Sequence, residues 1–267
     1  MTGENYWICQ LSGLDRMSNV ANYRLNRLLA SLTSDSFERL RPHLQWVRLS
    51  LGQILHEQHV PFENVFFPIT SAVSLVGILK SGASAEIGLI GNEGLIGTSL
   101  LMGGSDASCQ AIVQSAGEAY RLKSTLLKAE FDRSPAVLGL LLRWVQALSI
   151  QTAQTALCNR HHSVDQQLCR WLLLTMDRVT NNQVHMTQEL IAQMLGVRRE
   201  GVTAAAGKLQ DAGLIQYSRG TITVLDRPGL EERSCECYET VRAETDRLVP
   251  MPSRPLYEDE QAFAARQ

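Results

Sequence analysis

Arg198, Arg199 and Glu200 stand consecutively, with Thr203 and Lys208 farther along the same stretch. An arginine can donate two parallel hydrogen bonds to a guanine edge, and a glutamate can accept from the amino group of cytosine. Thr187 offers a hydroxyl at a candidate helix start, where free backbone N–H groups suit a phosphate, and Arg219 is a second phosphate candidate. Between Arg198 and Lys208 the bases outnumber the acids, whereas the whole chain carries a formal charge of −2. Two arginines at a helix start are ordinarily a solvated surface, so their weight comes from the elements that present them.

Those elements are legible. Thr187 can cap a helix over Gln188 to Leu195, with Leu190, Ile191 and Met194 or Leu195 facing inward. Gly196 supplies a turn in which positive φ lets two helices meet steeply. A second helix begins near Arg198 and runs to about Ala212, burying Val202, Ala205, Ala206 and Leu209, and Gly213 stops it. Two short strands, Leu214 to Tyr217 and Thr221 to Leu225, are joined by Ser218-Arg219-Gly220 and form a wing. The order of helix, turn, helix, stop and hairpin is that of a winged helix-turn-helix, which holds the amino end of its second helix toward a DNA groove.

Upstream, from about 44 to 123, short apolar runs alternate with turn residues. The runs are Trp46-Val47, Ile54-Leu55, Val65-Phe66-Phe67, Val73 to Leu79, Glu86 to Ile90, Ala111 to Val113 and Ala119 to Leu122. This texture predicts an antiparallel, jelly-roll-like β-roll. A helix over Asn26 to Arg41 precedes it, with Thr33 to Asp35 able to cap its second part and Pro42 ending it. Helical spacing returns from 125 to about 157, with Ser134 as N-cap and Pro135 in the first turn. There Leu138, Leu141, Val145, Leu148, Thr152 and Thr155 recur at alternating three and four, the a/d seam of a helix that faces a partner helix. Leu140 and Leu142 widen the apolar face, so one helix can lie on its own β-roll and also pair with a second chain. Val164 to Val179 reads as a further amphipathic helix. The class is α+β, with expected domains at 25–134 (β-roll sensor), 135–160 (dimerisation helix), 161–249 (winged helix-turn-helix) and 250–267 (a loose tail).

Hydrophobic residues at 45% and charged residues at 19% suit a protein with a real core. No stretch reads as an uninterrupted membrane span, and no secretory signal opens the sequence, so the expected location is cytoplasmic, without a membrane partner. Six cysteines (9, 109, 158, 169, 235 and 237) lack the density of a disulfide scaffold. Cys235 and Cys237 could ligate a metal or sense oxidants, but no second pair matches them, and they read as reduced thiols near a helix; no metal is expected. A metalloenzyme on a cupin-like β-roll is the rival reading, and His56, His59, Glu57 and Glu63 are its candidates. Strand residues three apart point to opposite faces, so both histidines are expected at the surface or in turns. His161, His162 and His185 read as linker and turn residues. A third reading is a sensor or scaffold that does not bind DNA.

The run from Thr187 to Val202, with Gln188-Glu189-Leu190-Ile191-Ala192-Gln193-Met194-Leu195-Gly196-Val197-Arg198-Arg199-Glu200-Gly201 between, resembles the helix-turn-helix of the Crp/Fnr superfamily. Gly52-Gln53-Ile54-Leu55, Val65-Phe66-Phe67-Pro68 and Ile90-Gly91-Asn92-Glu93-Gly94-Leu95-Ile96-Gly97 stand in the order of that family's cyclic-nucleotide-binding-type β-roll. The resemblance covers about 44–228. It implies a homodimer on a two-fold symmetric operator in double-stranded DNA, with RNA polymerase as a further partner. It also implies base-reading by Arg199 and Glu200 and a phosphate contact at Thr187. Ala204 replaces a further base-contacting arginine, which implies a different half-site. The effector pocket falls at Gly97, Thr98, Ser108 and Cys109, where cyclic-AMP-binding members carry a ribose-holding glutamate and a phosphate-pairing arginine. A buried phosphate without a cationic partner is costly, so cyclic AMP is not the expected effector. Only Cys9 lies near the start, so the family's iron–sulfur centre is not expected, nor is haem or any other cofactor.

Overall fold

The computed structural model describes residues 21–179 and 182–251; Cys9 and the tail from 252 onward lie outside them. Two short helices come first, α1 (Arg27–Ala30) and α2 (Ser34–Leu40). They divide the single helix expected over 26–41, because Thr33 caps the second by accepting from the Ser36 N–H. Asn26 caps the first through Leu28 N and Leu29 N, and its buried amide donates to the carbonyls of Pro68 and Gly94. One side chain thus starts a helix and ties it to the β-roll.

The seven strands stand where the apolar runs were: β1 (Gln45–Leu49), β2 (Ile54–His56), β3 (Asn64–Pro68), β4 (Ala72–Ile78), β5 (Ser84–Ile90), β6 (Gln110–Ser115) and β7 (Gly117–Lys123). They form two antiparallel sheets, ordered β1-β7-β3 and β2-β6-β4-β5. The helices α3 (Ser124–Arg133) and α4 (Pro135–His161) follow, and Ser134 caps the second as expected, accepting from Val137 N. β5 is a sheet edge, and Gln151 of α4 covers it: its Oε1 accepts from Leu89 N at 2.6 Å and its Nε2 donates to Leu89 O at 3.1 Å. A side-chain amide thereby replaces a missing strand.

Trp144 fixes the other end of the contact. Its Nε1 donates to Leu95 O, and its ring lies so close to Gly94 that a Cβ there would sit 2.1 Å from it. Gly94→Ala is therefore expected to lower unfolding free energy by about 1–3 kcal/mol, the usual cost of overpacking; a denaturation midpoint equal to the parent's would refute the contact.

At 27 residues, α4 is by length and composition long and apolar enough to cross a membrane, which the sequence reading did not expect. One face is a core face: Val137, Leu140, Leu141, Trp144, Ala147, Gln151, Thr155 and Cys158 are buried within the chain.

The second half comprises α5 (Val164–Met176), β8 (Gln183–His185), α6 (Gln188–Leu195), α7 (Arg199–Asp211), β9 (Ile215–Ser218) and β10 (Thr221–Val224). Two helices follow that the sequence reading did not place, α8 (Arg227–Arg233) and α9 (Glu236–Leu248). α9 runs back along α4 and reaches the first half, where Arg27 pairs with Asp246 and Arg143 donates to Leu248 O. The joint between halves combines apolar packing, where Ala72 and Leu89 enter the core of the second half, with a buried ion pair. Arg178 Nε donates to Glu93 Oε1 at 2.8 Å, and both side chains are 4% exposed. Beside it a buried chain runs from Glu86 through Ser74 and Gln114 to Thr175 of α5.

Candidate nucleic-acid interface

The amino end of α7 is built by its neighbours. Thr187 caps α6, accepting from Leu190 N. Gly196 ends α6 at φ +66°, and Val197 N then donates back to Ala192 O. α7 opens at Arg199 and buries Val202, Ala205, Ala206 and Leu209, the four positions its spacing marked. In α6 the buried set is Ile191, Ala192 and Leu195, while Leu190, expected inside, is 43% exposed. Helical geometry accounts for this: the face that Ile191 and Leu195 turn inward takes Ala192 and leaves Leu190 on its rim. Ile215, Ile222 and Val224 from the wing close the same core.

With the apolar face committed, the polar residues are displayed. Arg198, Arg199 and Glu200 are all exposed, as are Thr203 and Lys208. The wing tip is a two-residue turn in which Arg219 at φ +50° and Gly220 at +77° are both left-handed, the backbone that matches the twist of a tight hairpin. Thr187, Gln188, Arg199, Tyr217, Arg219 and Gly220 together line an open concavity of about 280 Å³ between the start of α6, the start of α7 and the wing. Of the expected residues it gathers Thr187, Arg199 and Arg219. Gln188 and Tyr217 were missed. Gln188 stands one residue past the cap, and its Oε1 accepts from the Thr203 hydroxyl at 2.8 Å. Tyr217 donates its hydroxyl to Met186 O, and its pKa is raised by burial. Period-two alternation along the wing strand puts Tyr217 on the same face as the inward Ile215, so spacing marks it as a core residue and gives no signal of its place at the concavity.

Lys208 departs from the expected set, since its ammonium lies 2.9 Å from Asp165 Oδ2 of α5. That carboxylate competes with any phosphate.

Gly97, Thr98, Ser108 and Cys109 do meet, around a hollow of about 50 Å³ lined also by His56, Leu75, Ile90 and Ile96. No lysine or arginine lines it, and burial raises the pKa of Cys109. His56 corrects the expectation of a surface histidine. It is 5% exposed, stacks on Phe62 at 4.2 Å and donates from Nε2 to Asn64 O. Burial lowers its pKa below the ordinary value. His59 is exposed in a positive-φ turn, so the two histidines do not converge. His162 stands in the bend between α4 and α5, as read, and there meets Cys237, whereas His185, read as a turn residue, ends β8.

Along α4 the expected seam divides. Leu141 is 1% exposed inside the chain's own core, and Leu148 packs against the same core. Leu138 and Thr152 are half-exposed, and Val145, also half-buried, packs against the same core as Leu148. Leu141 is thus unavailable to a partner, because the stripe it occupies is the one that covers the β-roll.

Residues 166–233 match the family model of the Crp-like helix-turn-helix domain. The global nitrogen regulator of Synechococcus elongatus is 21% identical over 200 residues, 71% of this chain and 90% of that protein. A transcriptional regulator of the Crp/Fnr family from Eubacterium rectale superposes with a TM-score of 0.62 at 18% identity, over 76% of this chain and 94% of that one. FixK2 from Bradyrhizobium japonicum superposes at 0.60 with 17% identity, over 72% and 98%.

Proposed function

We propose that the chain is a transcription regulator of the Crp/Fnr type, a reading supported by its Crp-like helix-turn-helix and its likeness to regulators of that type, and that it reads a two-fold symmetric operator as a homodimer, with Arg199 and Glu200 on base edges. Thr187, Gln188, Arg198 and Arg219 hold the flanking phosphates, Thr203 stands beside them through Gln188, and Lys208 contributes only after leaving Asp165. The observation that carries this reading is the exposed amino end of α7, set against the concavity shared with the wing. Partner helices meet along Leu138, Leu142, Val145, Ser149, Thr152 and Ala156, which recur at alternating four and three; Leu142, Ser149 and Ala156 are exposed, while Val145 also touches the chain's own core. Relative to the seam expected from sequence, Leu142 and Ser149 take the places of Leu141 and Leu148. The functional reading places the protein in the cytoplasm, beside RNA polymerase, and gives it no enzymatic step. The domain limits follow the same division: β-roll to 134, dimer helix to 160, DNA-binding part to 249.

The test is a titration of the purified protein against mixed promoter fragments at two salt concentrations. A few fragments should be retained tightly, with affinity falling as salt rises. Arg199→Ala should weaken the best fragment by about 1–3 kcal/mol and relax its sequence preference. An unaltered preference would remove Arg199 from base reading, and salt-independent or absent retention would remove the DNA-binding reading itself.

A further inference from the structure

Cys158 lies near the end of α4, and His162 is the residue that caps it. Cys235 caps α9 at its start, and Cys237 lies in its first turn. These four are far apart in sequence and belong to the two helices that pack antiparallel, yet their ligand atoms all lie within 4.8 Å of one another. The Sγ atoms of Cys158 and Cys235 are 3.6 Å apart, and Cys237 Sγ is 3.6 Å from His162 Nδ1. We infer that Cys158, His162, Cys235 and Cys237 form a closed tetrahedral site for a zinc-type divalent ion, which staples the start of α9 to the end of α4.

The distances match the chemistry. Zinc–sulfur bonds of about 2.3 Å at tetrahedral angles separate neighbouring sulfurs by about 3.8 Å, and a sulfur from an imidazole nitrogen by about 3.6 Å. Three thiolates and one imidazole are a recurrent structural zinc set, and soft sulfur donors disfavour magnesium and calcium. An iron–sulfur cluster spreads its cysteines over several iron atoms, wider than this group allows.

The surroundings are those of a ligand set. His162 presents Nδ1 to the cluster while its Nε2 lies 3.4 Å from Glu236 Oε1, so the carboxylate can hold the ring in the ligating tautomer. Gln167 donates to His162 O at 2.9 Å and fixes the backbone from which the ring hangs. The three cysteines are buried, at 5% exposure or less. Each gives up its thiol proton on binding, and a divalent ion with three thiolates leaves a single negative charge. Arg170, 5% exposed, can offset it. Only its Nη2 has a partner, Thr155 Oγ1, whereas Nε and Nη1 are buried without one, and its charge acts on both Cys158 and Cys237. The family-model match ends at Arg233, so Cys235 and Cys237 belong to an addition beyond it.

The site stands independently of DNA binding and is tested without DNA. Full-length protein purified under reducing conditions should carry stoichiometric zinc by elemental analysis. After chelation, added cobalt(II) should give the visible ligand-field bands and thiolate charge-transfer of a tetrahedral sulfur-rich site. Cys237→Ser should abolish both. Should that variant fail to fold, Glu236→Gln, which alters an exposed side chain, should weaken zinc binding by about 10-fold or more. Folded, reduced protein that neither retains zinc nor develops the cobalt spectrum overturns the inference. So does zinc binding that persists undiminished in folded Cys237→Ser, or a Cys158–Cys235 disulfide in protein handled without oxygen.

Discussion

Arg178→Met should lower the unfolding free energy by about 3–5 kcal/mol, because it strands Glu93 as an unpaired charge in the joint between the two halves. Both side chains are almost fully buried, and the approach is tight enough that a Cβ on Gly91 would lie 2.6 Å from Arg178 Cγ. Arg178 also donates to Leu174 O at 2.7 Å, so its loss frees a second acceptor at the end of α5. The comparison that isolates the charge is the double variant Glu93→Leu/Arg178→Met. Replacing both ions with apolar groups of similar size is often neutral or stabilising, so the double variant should recover most of what the single one loses. Urea denaturation of the three proteins measures this. A single variant within 1 kcal/mol of the parent would show that water already reaches the pair.

Glu86→Gln should raise stability at pH 8 and leave it nearly unchanged at pH 4. Burial lifts the Glu86 pKa from an ordinary 4.5 to about 7, against smaller opposing contributions from the Ser74 hydrogen bond and the Arg170 charge. A raised carboxyl pKa means that the folded state binds the proton more tightly than the unfolded chain. The associated stability is complete below 4.5 and is lost as pH rises through 7. At about 1.36 kcal/mol per pH unit between those values, the loss is roughly 3 kcal/mol. The hydrogen bonds explain why the proton fits. Ser74 Oγ lies 2.6 Å from Glu86 Oε2 and 2.8 Å from Gln114 Oε1, and its single proton can serve only one of them. With Glu86 protonated, donation runs in one direction: Glu86 to Ser74, Ser74 to Gln114, Gln114 to Thr175, and Thr175 to Trp171 O. A glutamine at 86 makes the first donation at every pH. Thermal midpoints of both proteins at pH 4 and pH 8 give the answer, and parallel profiles would refute it.

The sequence spoke clearly where structure is local. Turn glycines bounded the strands, Ser134 and Thr187 announced their helices, and the four apolar positions of α7 followed from spacing alone. It was ambiguous where two stripes share one helix. Leu141 and Leu142 both satisfy an a/d seam, and only the packing of Trp144 and Gln151 on the β-roll decides which one turns inward. It was silent where contacts are long-range. Nothing near Cys235 points to Cys158, and the juxtaposition exists only because α9 doubles back along α4. His56 was misplaced for the same reason: the ring that covers it, Phe62, arrives from the loop after β2 rather than from the strand that carries it.

The glycine seat under Trp144 has a mechanical meaning. The turn that begins at Gly91 bears the Arg178 latch, passes beneath the indole at Gly94, hands its Leu95 carbonyl to it and ends at Gly97 on the wall of the small hollow. The wall of the hollow, the long helix and the buried ion pair to the second half therefore share one short piece of backbone, and a substitution in it is felt at all three.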